Sequence, residues 1–358
     1  CRRPPRSADT IERCEHDRID LVKFGLILPI QSTTGDLDRL WEELRDEVLE
    51  AERVGFDVVC LPEFHQAHAP VLISPLVLGA QLLAITSRIR FAPAVLCGPL
   101  HHPMRLAEDY AMLDWTSGGR AVLGIGIGHQ APDFAAYGIP REARGELTDE
   151  VLEVFHRAFG DEPFRSEGFH HQLDITAPLA TSGGTRPEIW VGAHSRAGLD
   201  RAARLGDLWL SDPQRDIDTI GVLATRYTDA CERHVTLPRV GLFREAYIAD
   251  SLEECRREWE NHVLAVHRLY YNVGVYRSVF EPWVDEVRDR RDFTFERLAP
   301  GRFLVGSGAD IREQVEHWQD VSGAETMMLR IRQPGGPGHE RTMQAIRRFG
   351  EEVVTPCA

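Results

Sequence analysis

Two short segments carry residue types whose order allows chemistry. In the first, His194-Ser195-Arg196-Ala197-Gly198 follows the apolar run EIWVGA and opens a helical stretch that Gly206 closes. A serine at that point caps the helix, and the free amides of the next residues present partial positive charge to an anion such as a phosphate. Arg196 adds a guanidinium. The plainer alternative is an ordinary serine cap with no ligand and an arginine in solvent. In the second segment, Glu63-Phe64-His65-Gln66-Ala67-His68 follows DVVCLP with one carboxylate and two imidazoles. A carboxylate beside an imidazole orients the ring and raises its pKa.

Two other groupings raise a chemistry that the pattern does not sustain. His101-His102 and His170-His171 invite a metal centre, since zinc barrels take histidines and carboxylates at strand ends. His170-His171 has no second ligand pair nearby, and Leu28-Pro29-Ile30-Gln31 offers no ligands at the end of the first strand, so no metal is expected. Gly124, Gly126 and Gly128 read GIGIG, which lacks the GxGxxG spacing and does not stand at the first strand-helix turn. Here the glycines allow either close backbone approach to a bound ring, with His129 and Gln130 adding polar contacts, or tight strand packing.

The elements that must position these residues alternate between short β-type runs and longer helical ones, the pattern of βα units around a parallel sheet. Strands are predicted over 23–29, 57–62, 90–96, 120–128, 188–193, 207–211, 240–249 and 326–331. Between them, Leu37, Leu40, Trp41, Leu44, Val48 and Ala51 recur at helical spacing. Pro103 opens a further helix that stops near Ser117-Gly118-Gly119. Residues 161–187 and 271–308 break the alternation and are expected to be lids or unrecognised helices.

The chain of 358 residues is 43% hydrophobic and 27% charged, enough to bury one large core. Its net charge of −15 repels nucleic acid and anionic lipid, and no run is long and apolar enough for a membrane span or a secretory signal. A cytoplasmic protein is expected. The seven cysteines are scattered and odd in number, which suits a reducing compartment. Residues 1–21 lack periodicity and are expected to form a disordered extension, followed by one domain over 22–358.

KFGLILP, AERVGFDVVCLPEFHQAH, HPMRLAEDYAMLDWTSGGRAVLGIGIGH and PEIWVGAHSRAGLDRAARLGDLWL together resemble the bacterial-luciferase-like superfamily of flavin-dependent monooxygenases and relatives, in the same order and spacing over about residues 22–335. The resemblance implies a (β/α)₈ TIM barrel with insertions and a site at its C-terminal face. It implies reduced FMN, or alternatively a deazaflavin, as cofactor. The function implied is a monooxygenase that uses reduced FMN and oxygen on a small organic substrate. Two alternatives are a deazaflavin-dependent hydride-transfer enzyme and a non-catalytic flavin-binding barrel or partner subunit. A flavin reductase becomes the expected partner, and a homodimer is left open.

Residue by residue, the resemblance assigns the cofactor phosphate to the turn at His194, Ser195, Arg196 and Gly198, with Arg144 approaching from the other side. It assigns the flavin ring to Ala94-Val95, where relatives often carry a non-prolyl cis peptide, and to the backbone at Gly126 with His129 beside it. At the end of the second strand, relatives commonly read Glu-His-His, and Phe64 here takes the place of the usual acid-base histidine. Glu63 keeps the carboxylate, and the acid-base role is expected at His65, with His68 as the alternative. Strand alternation argues against Phe64 and His65 reaching one volume unless the chain has already turned into loop.

Overall fold

A computed structural model describes residues 22–32, 34–66, 71–276 and 281–355. The expected extension over residues 1–21 and the candidate His68 lie outside the described residues. β1 (Lys23–Ile27), α1 (Leu37–Arg53), β2 (Val58–Leu61), α2 (Pro75–Ile85), β3 (Arg90–Pro93), β4 (Leu96–Cys97), α3 (Pro103–Ser117) and β5 (Val122–Gly126) form the first half. α4 (Ala131–Tyr137), α5 (Arg144–Ala158), β6 (Phe164–Glu167) and β7 (Gln172–Ile175) follow. Next come β8 (Glu188–Gly192), α6 (Arg196–Leu205), β9 (Leu208–Leu210), α7 (Ile217–His234) and β10 (Val240–Ile248). α8 (Leu252–Asn272), α9 (Phe295–Leu298), β11 (Leu304–Gly306), α10 (Gly308–Ser322), β12 (Ala324–Arg330) and α11 (His339–Phe349) complete the order.

The main sheet runs β3-β2-β1-β12-β10-β9-β8-β5-β4, with every adjacent pair parallel. β3 and β4 are two pieces of one strand path, so the sheet returns on itself as a (β/α)₈ barrel. Its alternating side chains divide into two apolar layers. Ile27, Val58, Cys60, Ala92, Val122, Trp190, Leu208, Leu210 and Met328 fill the interior. Their neighbours in sequence, such as Leu26, Val59, Leu61, Leu123, Val191, Leu242 and Leu329, face the helices.

Local rules hold at the helix ends. The Asp36 side chain accepts from the Arg39 amide at 2.9 Å to start α1, which buries Leu40, Leu44, Val48 and Ala51. α3 begins at Pro103 and ends at Gly118 in the left-handed conformation (φ 70°).

Two expectations about elements are corrected, and the third, of unrecognised helices over 271–308, is met in part. The strand expected over 90–96 is broken at Ala94-Val95. The irregular stretch 161–187 contains the antiparallel hairpin β6–β7. It packs beside α5, where the Glu150 carboxylate accepts the amides of His170 and His171 at 2.9 and 3.0 Å, so those histidines belong to a hairpin anchor. The stretch 271–308 holds short helical turns, α9 and β11, all too brief for periodicity to reveal. No helix among the described residues is long and apolar enough to cross a membrane.

Candidate active site

The C-terminal ends of β2, β4, β5, β8 and β9 carry a nearly continuous arc of titratable side chains. β2 ends at Leu61, and Gln66 turns the chain with φ 50°. Between them the two-residue alternation persists: Phe64 packs against the helix-side core while Glu63 and His65 share the other side.

Glu63 is buried and accepts from the Cys97 amide at 2.5 Å and from His101 Nε2 at 3.0 Å. Its other neighbour is His65, with Nε2 at 3.3 Å. That distance suits an ion pair, yet the angle is not that of a hydrogen bond, and His65 Nε2 is buried without a hydrogen-bond partner. Burial alone would raise the Glu63 carboxyl; His101, His65 and the Cys97 amide outweigh it and hold the group down at about 2. In return, Glu63 raises the His65 imidazole above its ordinary value against the opposing effect of burial, with a smaller contribution from Asp133.

α4 supplies the opposite wall. Tyr137 Oη lies 3.3 Å from His65 Nδ1, with the two rings edge to face at 5.1 Å. One helical turn earlier, Asp133 is raised by burial, and its Oδ1 is buried without a partner. His129 is pushed down by burial, with Arg141 and His194 adding to the effect and Asp133 opposing it. His194, at the end of β8, stands 3.6 Å from Asp212.

Between these groups the peptide Ala94-Val95 is cis. Both residues pack on the barrel's interior cluster. The glycines of the neighbouring strands make room for Val95: a Cβ on Gly126 would meet its Cγ2 at 2.8 Å, and one on Gly192 its Cγ1 at 3.2 Å. Of the two readings of Gly126, tight packing is the one its surroundings support. Gly128, with φ 69°, sits where a Cβ would meet Cys97 Sγ at 2.2 Å, so both its conformation and its space require glycine.

Ser195 caps α6 by accepting the Gly198 amide at 3.1 Å. His194, Ser195 and Arg196 are exposed, and Gly198 is buried against Ala193. Arg196 lines a groove of about 410 Å³ between α6 and α7 with Leu199, Arg226, Asp229, Ala230 and Arg233. Arg144 begins α5 and donates to the Arg141 carbonyl at 2.9 Å. Buried Arg201, midway along α6, ties that helix to α5 by bonding the Gly145 carbonyl at 3.0 Å and Asp149 at 2.8 Å. The anion-type residues thus stand at adjacent helix N-termini, beside the acid-base cluster.

Cys97, Asp133 and Tyr137 are site residues that reading the chain did not single out, and His101 entered it only within a histidine pair considered for a metal. His101 was detectable in principle, since a polar residue at a strand's C-terminal end before a helix is the barrel position for function. Asp133 and Tyr137 had no such signal, because their approach to His65 depends on how α4 folds back. Among the described residues, no group of three His, Cys, Asp or Glu is arranged to hold a metal ion.

The surroundings of the site fit a flat, polar-edged ring with a phosphate tail. They combine an apolar bulge at Val95, unpartnered polar atoms at its rim, and two helix N-termini.

Comparison with known proteins bears on that fit. Residues 22–325 match the model of a family described as luciferase-like monooxygenase. The 4-hydroxyprotoasukamycin monooxygenase of Streptomyces nodosus subsp. asukaensis is 35% identical over 327 residues, 87% of this chain and 86% of that protein. The alkanal monooxygenase beta chain of Vibrio harveyi is 26% identical over 52% of this chain, which spans only 58% of its length. The oxygenase component of the flavin-dependent trigonelline monooxygenase of Acinetobacter baylyi is 24% identical over 66% of this chain and 67% of its own. Among solved structures, a monooxygenase from Streptomyces bottropensis superposes with a TM-score of 0.82 at 22% identity, covering 94% of this chain and 100% of that one. The oxygenating constituent of 3,6-diketocamphane monooxygenase of Pseudomonas putida, in complex with FMN, gives 0.76 at 21% identity over 94% and 98%. A coenzyme F420-dependent tetrahydromethanopterin reductase of Methanopyrus kandleri gives 0.73 at 18% identity over 93% and 99%. At those identities the superpositions establish the fold.

Proposed function

The chain belongs to the luciferase-like monooxygenase family, and on that premise we propose that it is the oxygenase of a two-component system that takes reduced FMN from a separate reductase and oxidises a small organic substrate. The observation that carries this reading is the Glu63–His65 pair at the end of β2, whose carboxylate takes the Cys97 amide two residues past the cis Ala94-Val95 peptide, with His65 Nε2 without a hydrogen-bond partner.

In this reading Ala94 and Val95 support the flavin ring, with Gly126 shaping the bulge and His129 offering a contact at its edge. Ser195, Arg196 and Gly198 at the start of α6 and Arg144 at the start of α5 hold the phosphate, where the first-turn amides other than that of Gly198, which Ser195 caps, favour an anion. When bound, the reduced flavin supplies the electrons for the reaction with oxygen. The chain's own part is proton handling and exclusion of water. His65, made more basic by Glu63, accepts a proton at its unpartnered nitrogen, and the resulting imidazolium is balanced by the Glu63 carboxylate. Tyr137 holds the ring from the Nδ1 side, and His101 keeps Glu63 in place. A second reading, hydride transfer from a reduced deazaflavin, draws on the F420-dependent structural relative.

Anaerobic titration of the purified protein with reduced FMN and with reduced deazaflavin separates these readings. Tight binding of reduced FMN, followed by substrate-dependent oxygen uptake when air is admitted, is the expected result. Preferential binding of the deazaflavin with no oxygen uptake would transfer the assignment to hydride transfer.

A further inference from the structure

Across the mouth from the acid-base cluster, β10 and β12 place Glu245 and Arg330 opposite each other in register, both inside the barrel. Neither residue belongs to the flavin-facing set. Glu245 is fully buried, and Arg330 holds it through Nε at 3.0 Å and through Nη2. Nη2 also donates to Tyr270 Oη on α8 at 2.9 Å, and Gln333 donates to Glu245 Oε2, the oxygen that Arg330 Nε also bonds. The remaining nitrogen, Nη1, has no acceptor among the described residues, and the side chain keeps 10% exposure, so this N–H pair is the accessible part of the group. The guanidinium lies 5.0 Å from the ring of Phe243, which packs on the same interior cluster as Ala94 and Val95. In the strand order, β10 stands opposite the β3–β4 path that carries the bulge.

We infer that Arg330 is a specificity residue that donates Nη1–H to a neutral carbonyl oxygen of the organic substrate, whose apolar body lies on Phe243. This rests on the reading that a flavin occupies the Ala94-Val95 side, which leaves the Phe243 side to the substrate. The substrate oxygen is neutral because Glu245 already balances the guanidinium: the pair carries no net charge to draw in an anion, yet a charged donor still strengthens a bond to a carbonyl. A buried pair of this kind is also hard to explain as a stabilising device, since desolvation offsets much of the attraction. Glu245, Tyr270 and Gln333 are positioning residues that fix the plane of the fork.

The test uses two probes of one shape, acetophenone and α-methylstyrene, in which a methylene replaces the carbonyl oxygen. Their affinities are compared by ligand-detected NMR with and without FMN, for the intact chain, for Arg330→Met, and for Glu245→Gln/Arg330→Met, which removes both charges together. The intact chain is expected to prefer acetophenone by about tenfold or more. The double variant should lose that preference with FMN affinity unchanged, and it keeps the test valid if Arg330→Met alone fails to fold around an orphaned carboxylate. Equal affinities in the intact chain, no binding of either probe, or a preference that survives in the double variant would overturn the inference. Failure of the intact chain to bind FMN would instead strike the proposed function, and the same samples report that separately.

Discussion

The two ends of the barrel both carry ionisable side chains and behave differently. At the N-terminal end, Arg90 and Arg239 both reach Glu188 at 2.6 Å, and Arg239 also reaches Glu325 at 2.5 Å. This floor joins the starts of β3, β8, β10 and β12, and each of these charges has an opposite partner. At the C-terminal end, His65 Nε2 and Asp133 Oδ1 are buried without partners, and neighbouring imidazoles are driven in opposite directions. Paired charges close the barrel, whereas unfinished polar contacts leave capacity for a ligand and for proton transfer.

The comparison breaks most visibly at His65. His65→Ala is expected to lower turnover by about 10²–10⁴-fold while FMN affinity stays nearly constant, as steady-state kinetics and a binding titration would register. Retained turnover would remove His65 from proton transfer and leave His68 as the next residue to replace.

A smaller effect is expected at the anion end of the mouth. Ser195→Glu places a carboxylate where the phosphate is proposed to sit and should weaken FMN binding by about tenfold or more, measured by fluorescence quenching. Unchanged affinity would move the phosphate away from α6.

On the floor, Glu188→Gln should lower stability by about 1–2 kcal/mol in a denaturant titration, leaving FMN affinity alone, because the pairs are partly exposed and screened. Burial pushes the Glu188 carboxyl up, but Arg90 and Arg239 outweigh it and hold it below its ordinary value. Its contribution is therefore present above the unfolded pKa of about 4.3 and lost as pH falls through the depressed folded value. A loss of FMN affinity in this variant would mean that the two ends are coupled.

The finest distinction lies in pH. His65 is raised, so its charged form contributes stability below about pH 6.5, and this is lost as pH rises through the folded value. As a base it works only when neutral, so kcat/KM should climb through a midpoint above about 6.5. Glu63→Gln should move that midpoint down. An unmoved midpoint would assign the titration to another group.

Much of the architecture was readable along the chain. Each of the eight expected barrel strands has a counterpart in place, because runs buried on both faces are apolar without interruption. The break at Ala94-Val95 was readable only through family resemblance, since nothing in FAPAVL marks it. The hairpin β6–β7 was hidden because its strands are only four residues each, and both mix charges with apolar positions. Within the site, Ser195 announced its cap by residue type and position. Arg196 kept its place on the helix while its side chain went to the groove between α6 and α7, a direction that no spacing rule contains.

What the chain order determined by itself is whatever depends on near neighbours. Strand runs, helix caps, the carboxylate two residues from an imidazole, and the Phe64 alternation all follow from periods of two or 3.6 residues. The tertiary structure alone decided which distant groups share a dielectric environment. Cys97 and His101 reach Glu63 across more than thirty residues of chain, as hydrogen bonds spanning 34 and 38 positions. Tyr137 reaches His65 across 72, and Glu245 finds Arg330 across 85. Burial and pairing lower the Glu63 carboxyl and raise the His65 imidazole, and both are properties of the closed barrel: until the strands meet, these side chains are solvated by water.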